Sequence, residues 1–159
     1  AEQILVGAQN NINGWFAAND GIANSVIAAI ESAGLDPSTI PVSGQDATTA
    51  GIQNILLGKQ AMTVYKPIAA EAAVGAQIAL ALRAGEDVTT LTGDFEIIGI
   101  DGEGKPTDSP DGVVPYIALT PIAVTADNII DTVIADGFRT VEEICTGDVA
   151  ETDFCVENG

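Results

Sequence analysis

The chain has 159 residues, enough for one domain with a real core and too short for two ordinary ones. Asp and Glu total 23 against 5 Lys and Arg, a formal net charge of −18. Phosphate backbones and anionic membranes are held by Lys and Arg, so this balance argues against both as partners and points to a neutral or cationic ligand.

The sequence contains no His, which removes a Ser-His-Asp triad, a Cys-His pair and any His metal site. No metal or other cofactor is expected. Apolar residues make up 47% of the chain, with Ala, Ile and Val dominant, so this is not an acidic disordered chain. No uninterrupted apolar run reaches membrane-spanning length, and Ala1-Glu2-Gln3 shows no signal-peptide pattern.

Residues 12–18 read as a short buried strand, closed by Asn19-Asp20-Gly21. Ile22, Val26, Ile27, Ile30 and Ala33 follow at helical spacing, and Gly34 is placed to end that helix. Residues 40–44 read as the next strand, ending at Gln45-Asp46. A second helix carries Ile52, Ile55 and Leu56 and stops at Gly58. Ala61 to Tyr65 makes a third strand, ending at Lys66, and Pro67 sits where a proline opens a helix. That third helix carries Val74, Ile78 and Leu82, with Gly85 beyond it.

Strand and helix alternating three times at close spacing predict a parallel sheet with helical crossovers. Phe95–Ile100 and Val114–Leu119 then read as strands joined by an exposed Gly- and Asp-rich loop at 101–112, an added antiparallel hairpin. That loop departs from the calcium-loop pattern, with Lys105-Pro106 in its middle. A last helix is expected over Asp127–Asp136. The stretch from Arg139 is acidic and holds both cysteines, Cys145 and Cys155. Free thiols, a metal pair and a disulfide are the alternatives. A disulfide is favoured, because two sulfurs without His make a weak zinc site, and it would place the protein outside the cytoplasm.

In open parallel sheets ligands bind beyond the carboxyl ends of the strands, and Asn19, Asp46 and Lys66 stand at those three ends. An amide, a carboxylate and an ammonium together supply the donors and acceptors that sugar hydroxyls need. The structural alternative is that Asn19 caps a helix and Lys66 merely pairs with Asp46. Asp20 reads as structural, through capping or a hinge contact. Trp15 could stack on a sugar, but a strand tryptophan packed in the core is the plainer reading.

The runs Ala17-Ala18-Asn19-Asp20-Gly21, Val42-Ser43-Gly44-Gln45-Asp46-Ala47 and Met62-Thr63-Val64-Tyr65-Lys66-Pro67 resemble the C-terminal lobe of type I periplasmic sugar-binding proteins of bacterial ABC importers. Leu119-Thr120-Pro121-Ile122-Ala123-Val124, Asn128-Ile129-Ile130 and Asp136-Gly137-Phe138 resemble that family's return segment. The likeness runs from about Ile12 to Phe138. It implies a three-layer α/β lobe, incomplete because the N-terminal lobe is missing, with residues 1–138 as part of the C-terminal lobe and 139–159 as an acidic tail. It gives Asn19, Asp46 and Lys66 the role of hydrogen-bonding a monosaccharide, and the Lys at the third position points to the D-xylose branch.

The implied function is capture and delivery without catalysis, with ABC transporter membrane subunits as partners of the whole protein. A fragment of this kind is expected to bind sugar weakly or not at all, because half the contacts and the closure step are gone, and apolar surface left uncovered would favour a homodimer or domain swap. The competing readings are the effector domain of a LacI-type regulator and a carboxylate glycosidase. The first lacks a basic DNA-binding segment here, and the second lacks a positioned second carboxylate.

Overall fold

The computed structural model describes residues 1–97 and 112–159. In chain order they form α1 (Glu2–Gly7), α2 (Asp20–Ser32), α3 (Thr49–Leu56), β1 (Thr63–Tyr65), α4 (Ile68–Ala84), β2 (Gly93–Ile97), β3 (Gly112–Tyr116), β4 (Ile122–Val124), α5 (Val141–Ile144) and α6 (Asp153–Asn158), with short 3-10 turns between. They divide into two units, Ala1–Lys66 with Pro121–Gly159, and Pro67–Thr120.

In the first unit the parallel arrangement is built from short extended segments. Trp15 and Val42 form a parallel bridge, with Trp15 N–H donating to Pro41 O and Ser43 N–H to Trp15 O. On the other side of residues 42–46, Val64 N–H donates to Gly44 O and Asp46 N–H to Val64 O, the staggered pattern of parallel neighbours. β4 closes the row antiparallel to β1, with Val64 opposite Ala123. The strand expected over 12–18 contracts to the pair at Trp15, and Phe16, expected in a buried strand, is 89% exposed.

The helices follow their apolar spacing. α2 buries Ala23, Val26, Ile27 and Ile30, and Gly34 beyond it takes φ +74°, which its missing Cβ permits. These residues join Leu5, Ala17, Ile40 and Val42 in one apolar cluster, against which Trp15 packs half-buried. A second cluster gathers Ala47, Ile52, Tyr65, Val124, Ile129, Val133 and Ile144.

The helix expected over Asp127–Asp136 is a 3-10 turn at Ala126–Asn128 followed by a π turn at Ile130–Ile134. Thr132 Oγ1 donates back to Asn128 O at 2.6 Å, sharing that carbonyl with the ladder, while the Asn128 amide donates to Ala123 O in β4. The wider turn still buries both Ile129 and Val133. Ile129 and Val133 of this segment therefore pack inside their own unit while Ile130 stays exposed, and the expected homodimer or domain swap finds no support.

Residues 139–159 are integral to the same unit. Ile144, Val149 and Cys155 are buried, and Gln53 of α3 donates to Ile144 O and Thr146 Oγ1. Cys145 and Cys155 are joined by a disulfide.

In the second unit Pro67 caps α4 rather than opening its first turn, and Gly85 ends it at φ +75°. Only Ala81 of α4 is buried. β2 and β3 pair antiparallel, with Phe95 opposite Val114, as the added hairpin. Its second strand spans 112–116 instead of 114–119, and most of the loop expected at 101–112 lies outside the described residues.

The disulfide closes a loop of separation 10. In the chain-entropy treatment such a loop contributes about 2.5–3 kcal/mol. Cys145→Ser is expected to lower the unfolding free energy by roughly that amount in guanidinium titrations. An unchanged midpoint would show that the loop is not what restrains residues 139–159.

Candidate functional site

The three polar residues at the segment ends lie on one edge of the first unit. Residues 42–46 are the middle segment, so Asp46 stands between Asn19 and Lys66. Neighbouring strands are about 4.8 Å apart, which puts the outer two positions within roughly 10 Å of each other.

Asn19 is the N-cap of α2, its Oδ1 accepting from Ile22 N–H at 2.9 Å. The cap occupies the acceptor, so what the half-buried amide retains for a ligand is chiefly its NH2 donors. Asp46 Oδ1 meets Lys66 Nζ at 2.9 Å, with the two side chains 44% and 40% exposed. Both structural roles weighed for these residues, cap and ion pair, are thus present. Neither exhausts the polar atoms: a carboxylate accepts about four hydrogen bonds and an ammonium donates three. An ion pair this exposed contributes little to stability, typically about 0–1 kcal/mol, so its partners can be exchanged for others at small cost.

The backbone under Asp46 is unusual. Asp46 and Ala47 have φ +94° and +45°, where residues with a Cβ are strained by about 1–3 kcal/mol each. The turn is held by Asp46 N–H to Val64 O at 2.8 Å, Ala47 N–H to Thr63 Oγ1 at 3.1 Å, and Arg139 Nε to Ala47 O at 3.0 Å.

Asp20 explains why these pieces meet. It is fully buried, and its carboxylate points away from the edge. Oδ1 accepts from Thr63 Oγ1 at 2.8 Å and Gln60 Nε2 at 2.9 Å; Oδ2 accepts from Thr48 N–H at 2.8 Å and Thr48 Oγ1 at 3.0 Å. The backbone N–H of Asp20 donates to Gln45 O. Capping falls to Asn19 alone, and Asp20 instead ties α2 to the segments carrying Asp46 and Lys66. The carboxylate needs room: a Cβ on Gly44 or Gly51 would lie 2.2 Å from one of its oxygens. Sequence reasoning missed Thr48, Gln60 and Thr63, although two glycines beside a strand end and a helix start were a signal of close approach.

Tyr65, next to Lys66, is also buried. Its hydroxyl donates to Asp136 Oδ2, and its ring packs on Phe138 with centroids 4.9 Å apart. Burial, reinforced by the Asp136 carboxylate, pushes the phenol up to about 12. A separate groove of about 500 Å³ lies between α1 and α2, lined by Glu2, Ile4, Ser25, Ala29 and Ser32 among others, and by none of the three edge residues. Among the described residues no group of His, Cys, Asp and Glu is arranged to hold a metal ion.

The family model described as periplasmic binding protein domain matches residues 1–87. A D-xylose-binding periplasmic protein of Escherichia coli strain K12 is 38% identical over 146 residues, covering 90% of this chain and 39% of the relative. The chain thus spans about two fifths of the length of that curated relative.

Among solved structures, a carbohydrate transporter solute-binding protein from Chloroflexus aurantiacus in complex with D-glucose superposes with a TM-score of 0.62 at 24% identity. It covers 83% of this chain and 35% of the other. An ABC transporter periplasmic solute-binding protein from Actinobacillus succinogenes 130z with bound D-allose gives 0.56 at 25% identity, over 82% and 37%. The fold is that of the type I periplasmic binding proteins.

The Tyr65 phenol sets a pH expectation. Its folded value lies above the usual value near 10, so in alkali the folded state holds a proton that the unfolded chain releases. The stability it contributes is complete below pH 10 and lost as the pH rises to about 12. Absorbance titration should show a tyrosinate step near 12 that Tyr65→Phe abolishes. A Tyr65 step at the ordinary value would contradict its burial against Asp136.

Proposed function

The chain belongs to the periplasmic binding protein domain family, and from that membership we propose that it forms part of the solute-binding component of a sugar ABC importer. Its share of the work is to hydrogen-bond a monosaccharide, D-xylose, through Asn19, Asp46 and Lys66. The observation that carries this reading is the exposed Lys66–Asp46 pair at 2.9 Å beside the Asn19 amide, on one edge of one sheet.

The chemistry follows from the atoms. A sugar hydroxyl donates one hydrogen bond and accepts others, so vicinal hydroxyls can accept from Lys66 and Asn19 while donating to Asp46. Bonds to charged partners are the stronger kind, which suits a ligand that is itself uncharged. Because the ion pair is half-exposed, the sugar replaces water and part of a weak contact rather than a buried one. The acidic balance of the chain does not repel a neutral sugar.

The relative named for D-xylose supports the choice of sugar, while the superposed structures hold D-glucose and D-allose, so the edge suits aldoses as a class. In the whole protein a second lobe would complete the grip by hinge closure, with ABC transporter membrane subunits as the receiving partners. The Cys145–Cys155 disulfide fits an oxidising, extracytoplasmic compartment and speaks against a cytoplasmic regulator. Among the described residues no helix is long and apolar enough to cross a membrane.

Calorimetric titration with D-xylose, D-ribose and D-glucose tests the reading. Asp46→Asn and Lys66→Met each remove a charged hydrogen-bonding group and should weaken D-xylose binding by about 10- to 100-fold while leaving the melting temperature nearly unchanged. Affinity for D-xylose that survives both substitutions would overturn the assignment.

A further inference from the structure

The stretch between the π turn and α5 lies outside the ligand edge, yet it holds a backbone carbonyl beside Asp46 and the side chain beside Lys66. Arg139 Nε donates to Ala47 O at 3.0 Å, one residue past Asp46. The same guanidinium donates from Nη1 to Phe138 O at 3.2 Å and lies 4.2 Å above the Phe138 ring. Phe138 packs on Tyr65, and Asp136 accepts from the Tyr65 hydroxyl, one residue before Lys66. One four-residue stretch therefore touches the neighbour of each ion-pair partner.

Asp46 and Ala47 both hold positive φ, which persists only where the surroundings over-determine it. Three contacts do so, and the side chain of Arg139 supplies the one from residues 121–159. We propose that Arg139 is a positioning residue for Asp46: by fixing the Ala47 carbonyl it holds the strained turn that aims the Asp46 carboxylate at the ligand edge. Its reach into the ligand edge rests on the reading of Asp46 as a sugar ligand. A planar guanidinium can stack on Phe138 and donate to two carbonyls at fixed angles, whereas an ammonium on a flexible stem cannot reproduce that geometry. The requirement is thus for the fork and not only for a positive charge in an acidic chain.

Backbone amide exchange by NMR and NMR-monitored titration with D-xylose, both on the 159-residue chain, test this. Arg139→Met keeps the stem and removes the donors. It should speed exchange at Asp46 and Ala47 by roughly tenfold, leave α2 amides protected, and weaken D-xylose binding by roughly tenfold. Arg139→Lys keeps the charge, folds under milder perturbation, and should not restore either quantity. Gln53→Ala cuts a different tether of the same C-terminal region, at Ile144 and Thr146, and should lower the melting temperature without moving either quantity.

Unchanged exchange at Asp46 and Ala47 in Arg139→Met would overturn the proposal. So would equal effects in Gln53→Ala, or full rescue by Arg139→Lys. Faster exchange in a chain whose native form ignores D-xylose would uphold the bracing of the turn and count against Asp46 as a sugar ligand instead.

Discussion

The arrangement of this chain depends on one buried carboxylate. Asp20 sits at the start of α2 with no exposure and accepts four hydrogen bonds from Thr48, Gln60 and Thr63. Burying a carboxylate is unfavourable unless its lone pairs are satisfied, and removing any one partner leaves the rest in a costly state. The four donors are therefore fixed relative to one another, and with them the start of α2, the turn after Asp46 and β1. Asn19, Asp46 and Lys66 are the outward neighbours of that knot. The inward side chain holds position, and the outward ones remain free to exchange partners.

The division of labour between adjacent residues is physical. Asn19 and Asp20 are consecutive, and the backbone turn at the head of α2 sends one side chain to the surface and the other into the core. The exposed Lys66–Asp46 pair contributes little to the fold, so its partners can be exchanged at small cost. Tyr65 and Ala47, each next to one member of that pair, are buried and braced by residues 136–139. Stability thus sits immediately beneath an edge that is itself only weakly committed.

Much of this was legible in the sequence. Apolar spacing located α2, α3 and α4, and glycines at 34, 58 and 85 marked their ends with positive φ. Strand–helix alternation placed Asn19, Asp46 and Lys66 at the ends of neighbouring segments, and the structure has them there. What local pattern could not carry was long-range. Arg139 reaches Ala47 across 92 positions, and Gln53 reaches Ile144 across 91. The capping box of Thr125 and Asn128 and the π turn at 130–134 are features that apolar periodicity does not register. The strand at 12–18 failed for a related reason: most of its residues are apolar, but only Trp15 finds a bridge partner.

The most direct measurement is an NMR map of the chain, with the Asn19 side-chain amide and the Lys66 ammonium assigned, during addition of D-xylose. Ligand contact at the segment ends predicts that the largest shifts fall on Asn19, Asp46–Ala47 and Lys66, saturating together. Shifts confined to the groove between α1 and α2, or none at the three edge residues at saturating sugar, would contradict it.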